Sequence, residues 1–175
     1  MKRITLPDFT WIREPLASKG NRLTREVVVA PFTPPPPQGP LLLAISDEYF
    51  DCQMALRSEA GCEAGMVLYH TDATFIAVGL VGGEVVINAS ISGWANRWHV
   101  KRSNPSTEST LWSLRREQEG VSIGYRSESS DPIHWVGCFT LPGLANSISF
   151  GPYFANPGDR EQKAIIETFS YRRHI

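Results

Sequence analysis

Apolar and polar residues alternate with a period of two over much of this chain. From Tyr49 to Arg57, Phe50, Cys52, Met54 and Leu56 point one way, while Tyr49, Asp51, Gln53, Ala55 and Arg57 point the other. That is the pattern of a half-buried strand. Gly65 to Tyr69 reads as a further strand, His70-Thr71-Asp72-Ala73 as a turn, and Thr74 to Val81 as the return strand. Gly82-Gly83 then closes a tight hairpin into Glu84 to Ala89, since glycines supply the positive φ angles of a two-residue turn. The theme recurs in Leu111 to Arg116, turned by Gln118-Glu119-Gly120 into Val121 to Ser127. Trp135 to Thr140, Ser147 to Tyr153 and Ala164 to Tyr171 read as later strands, and Arg25 to Ala30 as an early β-branched one. Trp112, beside Leu114, is expected in the core.

Strands recurring at short spacing, with Gly, Pro, Ser and Asn between them, predict an antiparallel sandwich or barrel. Helical periodicity is confined to one short turn at Ser58 to Glu63. Phe32 to Pro40 carries four consecutive prolines, Pro34 to Pro37, and is excluded from a helix or a central strand. It is expected to be a stiff polyproline-II connector on the surface rather than a ligand for a partner's aromatic groove.

Composition narrows the class. The 175 residues suit one domain with a real core, residues 1–175, and the formal net charge is -1. No strong field is implied, so nucleic acid and anionic membranes are not expected partners. The basic spots Lys101-Arg102 and Arg172-Arg173 are too short to change this. The cysteines, Cys52, Cys62 and Cys138, are odd in number and form no C-x-x-C pair, against a disulfide framework or a zinc site. No apolar segment follows the basic start, and the run Leu41 to Ile45 is too short to span a bilayer. The expected location is cytoplasmic, with reduced thiols.

Four segments in order carry a family resemblance. Glu63-Ala64-Gly65-Met66-Val67-Leu68-Tyr69, a turn, and Phe75-Ile76-Ala77-Val78-Gly79-Leu80 resemble a hairpin of the regulation-of-enolase type domain family. A similar hairpin occurs in the C-terminal module of β-xylosidases. Val85 to Trp94, Leu111 to Arg116 with Tyr125 to Trp135, and Gly151-Pro152 with Glu167-Thr168-Phe169 resemble later strands of the same family. The resemblance runs from about Trp11 to the C-terminus. It implies a concanavalin A-like jelly-roll sandwich of two curved antiparallel sheets, with a groove on the concave one. Ala77, Val81 and Gly93 stand where the family carries a lysine, an acid and an aspartate, so the implied groove loses charge.

Catalytic signatures are missing. Sandwich glycosidases face two carboxylates across a groove. Glu59 and Glu63 have a suitable gap, but Ala60-Gly61-Cys62 between them reads as a turn, so both acids are expected on a solvated loop. His70, His99, His134 and His174 show no metal-ligand spacing. No nucleophile elbow or phosphate-cradling glycine loop is present. The acidic turn residues Asp131 and Asp159 show no calcium-loop pattern.

Aromatic and planar polar residues suggest binding instead, because sugar rings stack on indoles and polar side chains reach their hydroxyls. Trp94, Arg97, Trp98 and His99 cluster in a loop-like stretch. This places them at a groove rim, with Trp94 and Trp98 plugging the end of the core as the competing reading. The polar faces of the strands add Gln53, Tyr69, Arg115 and Arg126, with Asp51, Ser113 and Ser122 beside them. Arg115 and Arg126, on neighbouring strands, could pair across their hairpin as a carboxylate or hydroxyl grip, with a merely exposed polar face as the competing reading. The expected function is a non-catalytic domain binding a carbohydrate-type or small polar ligand, with no cofactor or metal. The alternatives are a protein-interaction module acting on a metabolic enzyme and an unrecognised glycoside hydrolase.

Overall fold

The computed structural model describes residues 3–101, 109–140 and 146–174. Arg102, of the Lys101-Arg102 spot, lies outside the described residues. In chain order the strands are β1 (Thr10–Trp11), β2 (Ala17–Gly20), β3 (Arg25–Val29), β4 (Leu42–Ser46), β5 (Phe50–Ser58), β6 (Glu63–Thr71) and β7 (Thr74–Val81). They continue as β8 (Glu84–Ile91), β9 (Trp94–Lys101), β10 (Thr110–Glu117), β11 (Gly120–Arg126), β12 (His134–Phe139), β13 (Ile148–Ala155) and β14 (Gln162–Arg173). Among the described residues the only helical segment is a 3-10 turn at Leu6–Asp8. No helix of the described chain is long and apolar enough to cross a membrane.

Two seven-stranded antiparallel sheets result. The first has the order β1-β4-β13-β6-β7-β8-β9 and the second β12-β11-β10-β5-β14-β3-β2. β13 inserts between β4 and β6, and β14 between β5 and β3, so late strands complete sheets that early strands begin. This is the expected concanavalin A-like jelly-roll sandwich.

The alternation of β5 is realised: Phe50, Cys52, Met54 and Leu56 enter the space between the sheets, where Met66, Leu68, Val78, Trp112, Leu114, Ile123 and Phe150 meet them. Arg116 follows the same parity at the end of the sandwich. Buried there, it donates to the carbonyls of Ser46 and Glu48 at 3.2 Å each and of Asn146 at 3.1 Å. A guanidinium thus ties two chain segments by their carbonyls.

The first sheet also buries its outer face. Leu41, Leu43, Val67, Phe75, Ala77 and Tyr153 form a second cluster there, with Tyr69 packed against it. The 32–40 segment supplies cover, with Pro36, Gly39 and Pro40 buried. It is not the expected polyproline-II rod. Gln38 N–H donates to the Pro35 carbonyl at 3.3 Å, the Pro36–Pro37 peptide is cis, and the segment folds as a turn. Arg13 Nε holds it through the Gly39 carbonyl at 3.0 Å.

A second expectation also fails. Trp94 to Lys101 is strand β9, not a loop. Ser92 and Gly93 both have positive φ, 51° and 87°, as Gly82 and Gly83 do at the preceding turn. Two-residue turns of this kind join strands directly, and β6 to β9 form one continuous meander.

Candidate functional site

The outer faces of β6 to β9 bring together side chains that are distant in the chain. β6 begins at Glu63, directly after a turn closed by Cys62 N–H on the Glu59 carbonyl at 2.9 Å. The first strand position therefore points Glu63 onto the sheet's outer face. Across the meander, Asn88 lies opposite both Ala77 and Arg97. Arg97 Nη2 donates to Glu63 Oε1 at 2.5 Å, and Nη1 to Oε2 at 3.2 Å. The Tyr153 hydroxyl donates to the same Oε2 at 2.9 Å. Glu63 is only 2% exposed, so the expected solvated acid is a buried one. A buried carboxylate persists when paired and fully hydrogen-bonded, and Glu63 is both.

Tyr153 reaches Glu63 because of Gly79: a Cβ there would strike the phenol oxygen. Burial first, and then the Glu63 charge, push the Tyr153 phenol well above its ordinary pKa, so it remains a donor. The hydrogen bond to Glu63 raises Arg97 against the opposing effect of burial.

Arg97 Nη1 also donates to Asn88 Oδ1 at 2.9 Å. That bond fixes the amide orientation and turns Nδ2 away from the guanidinium. Asn88 is 5% exposed, and its Nδ2 has no hydrogen-bond partner among the described residues. A buried unsatisfied donor costs about 1–3 kcal/mol and calls for an acceptor. Asn88 lines a depression of about 560 Å³ together with Phe75, Ser90, Ala95, Arg97, Asp72 and the prolines Pro36 and Pro37. Asp72 accepts from the Tyr69 hydroxyl at 2.7 Å and from Arg13 Nη1 at 3.4 Å.

A second depression, of about 650 Å³, lies by Ile12, Leu43, Ile45, Ser46, Glu48 and Tyr171. Ser46, Glu48 and Tyr171 there satisfy one another. The Tyr171 hydroxyl donates to Glu48 at 2.9 Å and meets Ser46 Oγ at 2.8 Å. The orphan donor distinguishes the Asn88 site.

The residues anticipated as one groove divide among several surfaces. Arg97 and His99 share the outer face of the first sheet, where His99 Nδ1 meets Glu84 at 2.9 Å. Trp94 and Trp98 have the opposite parity, and Trp98 lies opposite the core residue Ile87. Trp94 is 84% and Trp98 44% exposed, so Trp94 plugs nothing. Tyr69 sits on the first sheet, away from Gln53, Arg115 and Arg126 on the second.

Arg115 and Arg126 do not pair: in register Arg115 faces Ser122, and Arg126 faces Leu111. Arg115 Nε donates to Asp51 at 2.6 Å, with its guanidinium 5.2 Å from the Trp135 ring centroid. Arg126 Nη1 donates to the Ser129 carbonyl at 2.8 Å, bracing its own turn. Gln53 faces Ser113 across β5 and β10. The residues that sequence reasoning missed are Glu63, Phe75, Asn88, Tyr153, Pro36 and Pro37. The Ser92-Gly93 turn signal was the means of finding β9, and with it the Asn88–Arg97 pairing.

Among the described residues no three His, Cys, Asp or Glu side chains assemble as a metal site. No protein-family model matches the chain, and no curated protein matches it. Solved structures do. A functionally unknown protein from Saccharomyces cerevisiae superposes with a TM-score of 0.82 at 13% identity, over 98% of this chain and 100% of that one. A variant of the GH43 protein BlXynB from Bacillus licheniformis gives 0.72 at 13% identity, over 99% of this chain and 38% of that one. The xylan beta-1,4-xylosidase from Bacillus halodurans C-125 gives 0.69 at 10% identity, over 90% and 38%. The likeness shows the fold, a jelly-roll β-sandwich shared with a portion of each of the two Bacillus chains; at such identities it speaks to fold alone.

Proposed function

We propose that this chain is a single, non-catalytic, cytoplasmic binding domain, and that the depression on the outer faces of β7 to β9 holds a carbohydrate-type or other small polar ligand. The observation that carries this reading is the buried Asn88 amide lining that depression, whose Nδ2 has no partner among the described residues. The apolar contribution of Phe75, Ala95, Pro36 and Pro37 beside a few fixed polar groups matches the usual make-up of such sites. Glycoside hydrolase modules among the structural neighbours agree with a sugar-like ligand. Hydrolysis is disfavoured by chemistry. Retaining and inverting mechanisms both need one carboxyl free to give and take a proton. Both oxygens of Glu63 are occupied by Arg97 and Tyr153, and Asp72 is held by Tyr69 and Arg13.

A broad glycan array with wild type and Asn88→Ala tests the reading. Binding that the variant loses supports it. Wild-type binding that survives Asn88→Ala but fails in Trp98→Ala moves the site to the other face of β9. No binding by the wild type ends the lectin reading.

A second reading, a protein-interaction module such as the regulation-of-enolase resemblance implies, is favoured by one observation. Trp94, Trp98 and Val100 are exposed along β9, which ends its sheet, and Ile91 is exposed opposite Trp94 at the end of β8. Edge strands with exposed apolar side chains are ready surfaces for association. Capture of a metabolic enzyme by wild type but not by a Trp94→Ala/Trp98→Ala variant is the outcome that reading requires.

A further inference from the structure

Resting on the reading of this depression as a ligand site, we infer that Glu63 is its specificity-determining residue. By consuming the charge of Arg97, it makes the site select an uncharged polyhydroxylated ligand and turn away carboxylated or phosphorylated ones.

A guanidinium lining a depression ordinarily grips anions through its paired N–H groups. Here both Nη atoms of Arg97 are directed at Glu63, and Nη1 also serves Asn88. The fork that would hold a carboxylate or phosphate is already occupied. The remaining charged residue of the lining is Asp72, an anion whose cationic neighbour Arg13 stands at 3.4 Å. An anionic ligand therefore meets a cation and a carboxylate that are each already paired, with no free cation in the lining to receive it.

Among the residues lining the depression, the buried group left without a partner is neutral. Asn88 Nδ2 needs an acceptor oxygen, and a hydroxyl or ether oxygen supplies one without a charge to desolvate. Ala95 and Pro37 offer apolar surface to the C–H faces of a sugar ring, with Phe75 and Pro36 buried beneath them. Glu63 lies buried behind Arg97 and acts through it, so it is a positioning residue.

The test follows the Asn88 side-chain amide in two-dimensional 15N–1H spectra while four probes are titrated. Xylobiose and cellobiose are neutral; glucuronic acid and glucose 6-phosphate are anionic. In the wild type the neutral probes shift the Asn88 amide, and the anionic ones leave it unmoved. Glu63→Gln keeps the shape but releases the Arg97 charge. It is expected to tighten the anionic probes by about tenfold, the scale of one charge-assisted hydrogen bond, with little change for the neutral ones.

A wild type that binds the anionic probes at Asn88 as tightly as the neutral ones overturns the inference and leaves the ligand site standing. So does a folded Glu63→Gln variant with unchanged selectivity. The wild-type comparison decides the matter even where the variant fails to fold. If no probe moves the Asn88 amide, the ligand site itself is lost, and this inference with it.

Discussion

Glu63 and Arg97, 34 residues apart in the chain, meet through two hydrogen bonds with the carboxylate buried and the guanidinium side chain 35% exposed. Removing the partially solvated member strands the buried one. Arg97→Met is expected to destabilise the fold by about 2 kcal/mol, below the 3–5 kcal/mol typical of a fully buried pair because solvent already screens Arg97. Urea denaturation at neutral pH measures it, and a change near zero would mean that Tyr153 alone sustains Glu63.

Gly79 makes room for the Tyr153 hydroxyl, and no side chain fits beneath it. Gly79→Ala should cost about 1–3 kcal/mol by overpacking. It should also dislodge the phenol from Glu63, so that Tyr153→Phe adds little in the Gly79→Ala background. A double-mutant cycle checks the coupling; additive losses would refute it.

Asp51 gives a pH dependence. Burial raises its pKa, but hydrogen bonds from His174 and Arg115 outweigh burial and leave it lowered. A carboxylate with a lowered folded-state pKa contributes stability above the ordinary carboxylate range. That contribution is lost as pH falls through the folded value. Asp51→Asn should therefore be less stable than wild type at neutral pH and converge with it in acid. Melting temperatures across pH 2 to about 7 make the comparison, and parallel curves would contradict it.

Arg116 holds the carbonyls of Ser46, Glu48 and Asn146. Arg116→Leu leaves buried acceptors without their cation, and about 2–3 kcal/mol should be lost. Hydrogen exchange should rise first at residues 46–48. Uniform loosening across the sandwich would argue for a packing role instead.

Thiol chemistry should be selective. Cys138 is exposed, whereas Cys52 and Cys62 are buried. Burial pushes the Cys62 thiol up to about 12 and Cys52 higher still. Because the thiolate is the reactive form, the folded protein should take up one equivalent of iodoacetamide at neutral pH, and three after denaturation. Mass spectrometry reads both.

The sandwich was legible where one strand face is buried and the other wet. β5 and β10 alternate over much of their length, and β7, although buried on both faces, has the bounds its residues suggest. β9 was missed because an edge strand leaves Trp94 and Trp98 exposed, blurring the contrast that marks a strand. The site was less legible. A buried glutamate such as Glu63 has the same letter as a solvated one, and only the Arg97 and Tyr153 contacts across the sheet reveal it. The proline segment misled differently. Its residues exclude helix and sheet, but its turn depends on Arg13 and on the apolar face beneath it.

The meander also bears on how the chain assembles. β6, β7, β8 and β9 are joined in succession by short turns, so pairing within them closes only small loops and is expected to be fast. Glu63, Phe75, Asn88 and Arg97 all lie within that unit. By contrast, β14 must find β3 and β5 across more than half the chain, a slow, non-local search. A nascent chain emerging from the ribosome can thus form most of the pocket's framework early, while one edge of β5 waits for β14 and stays unpaired, open to aggregation, until synthesis has passed residue 173.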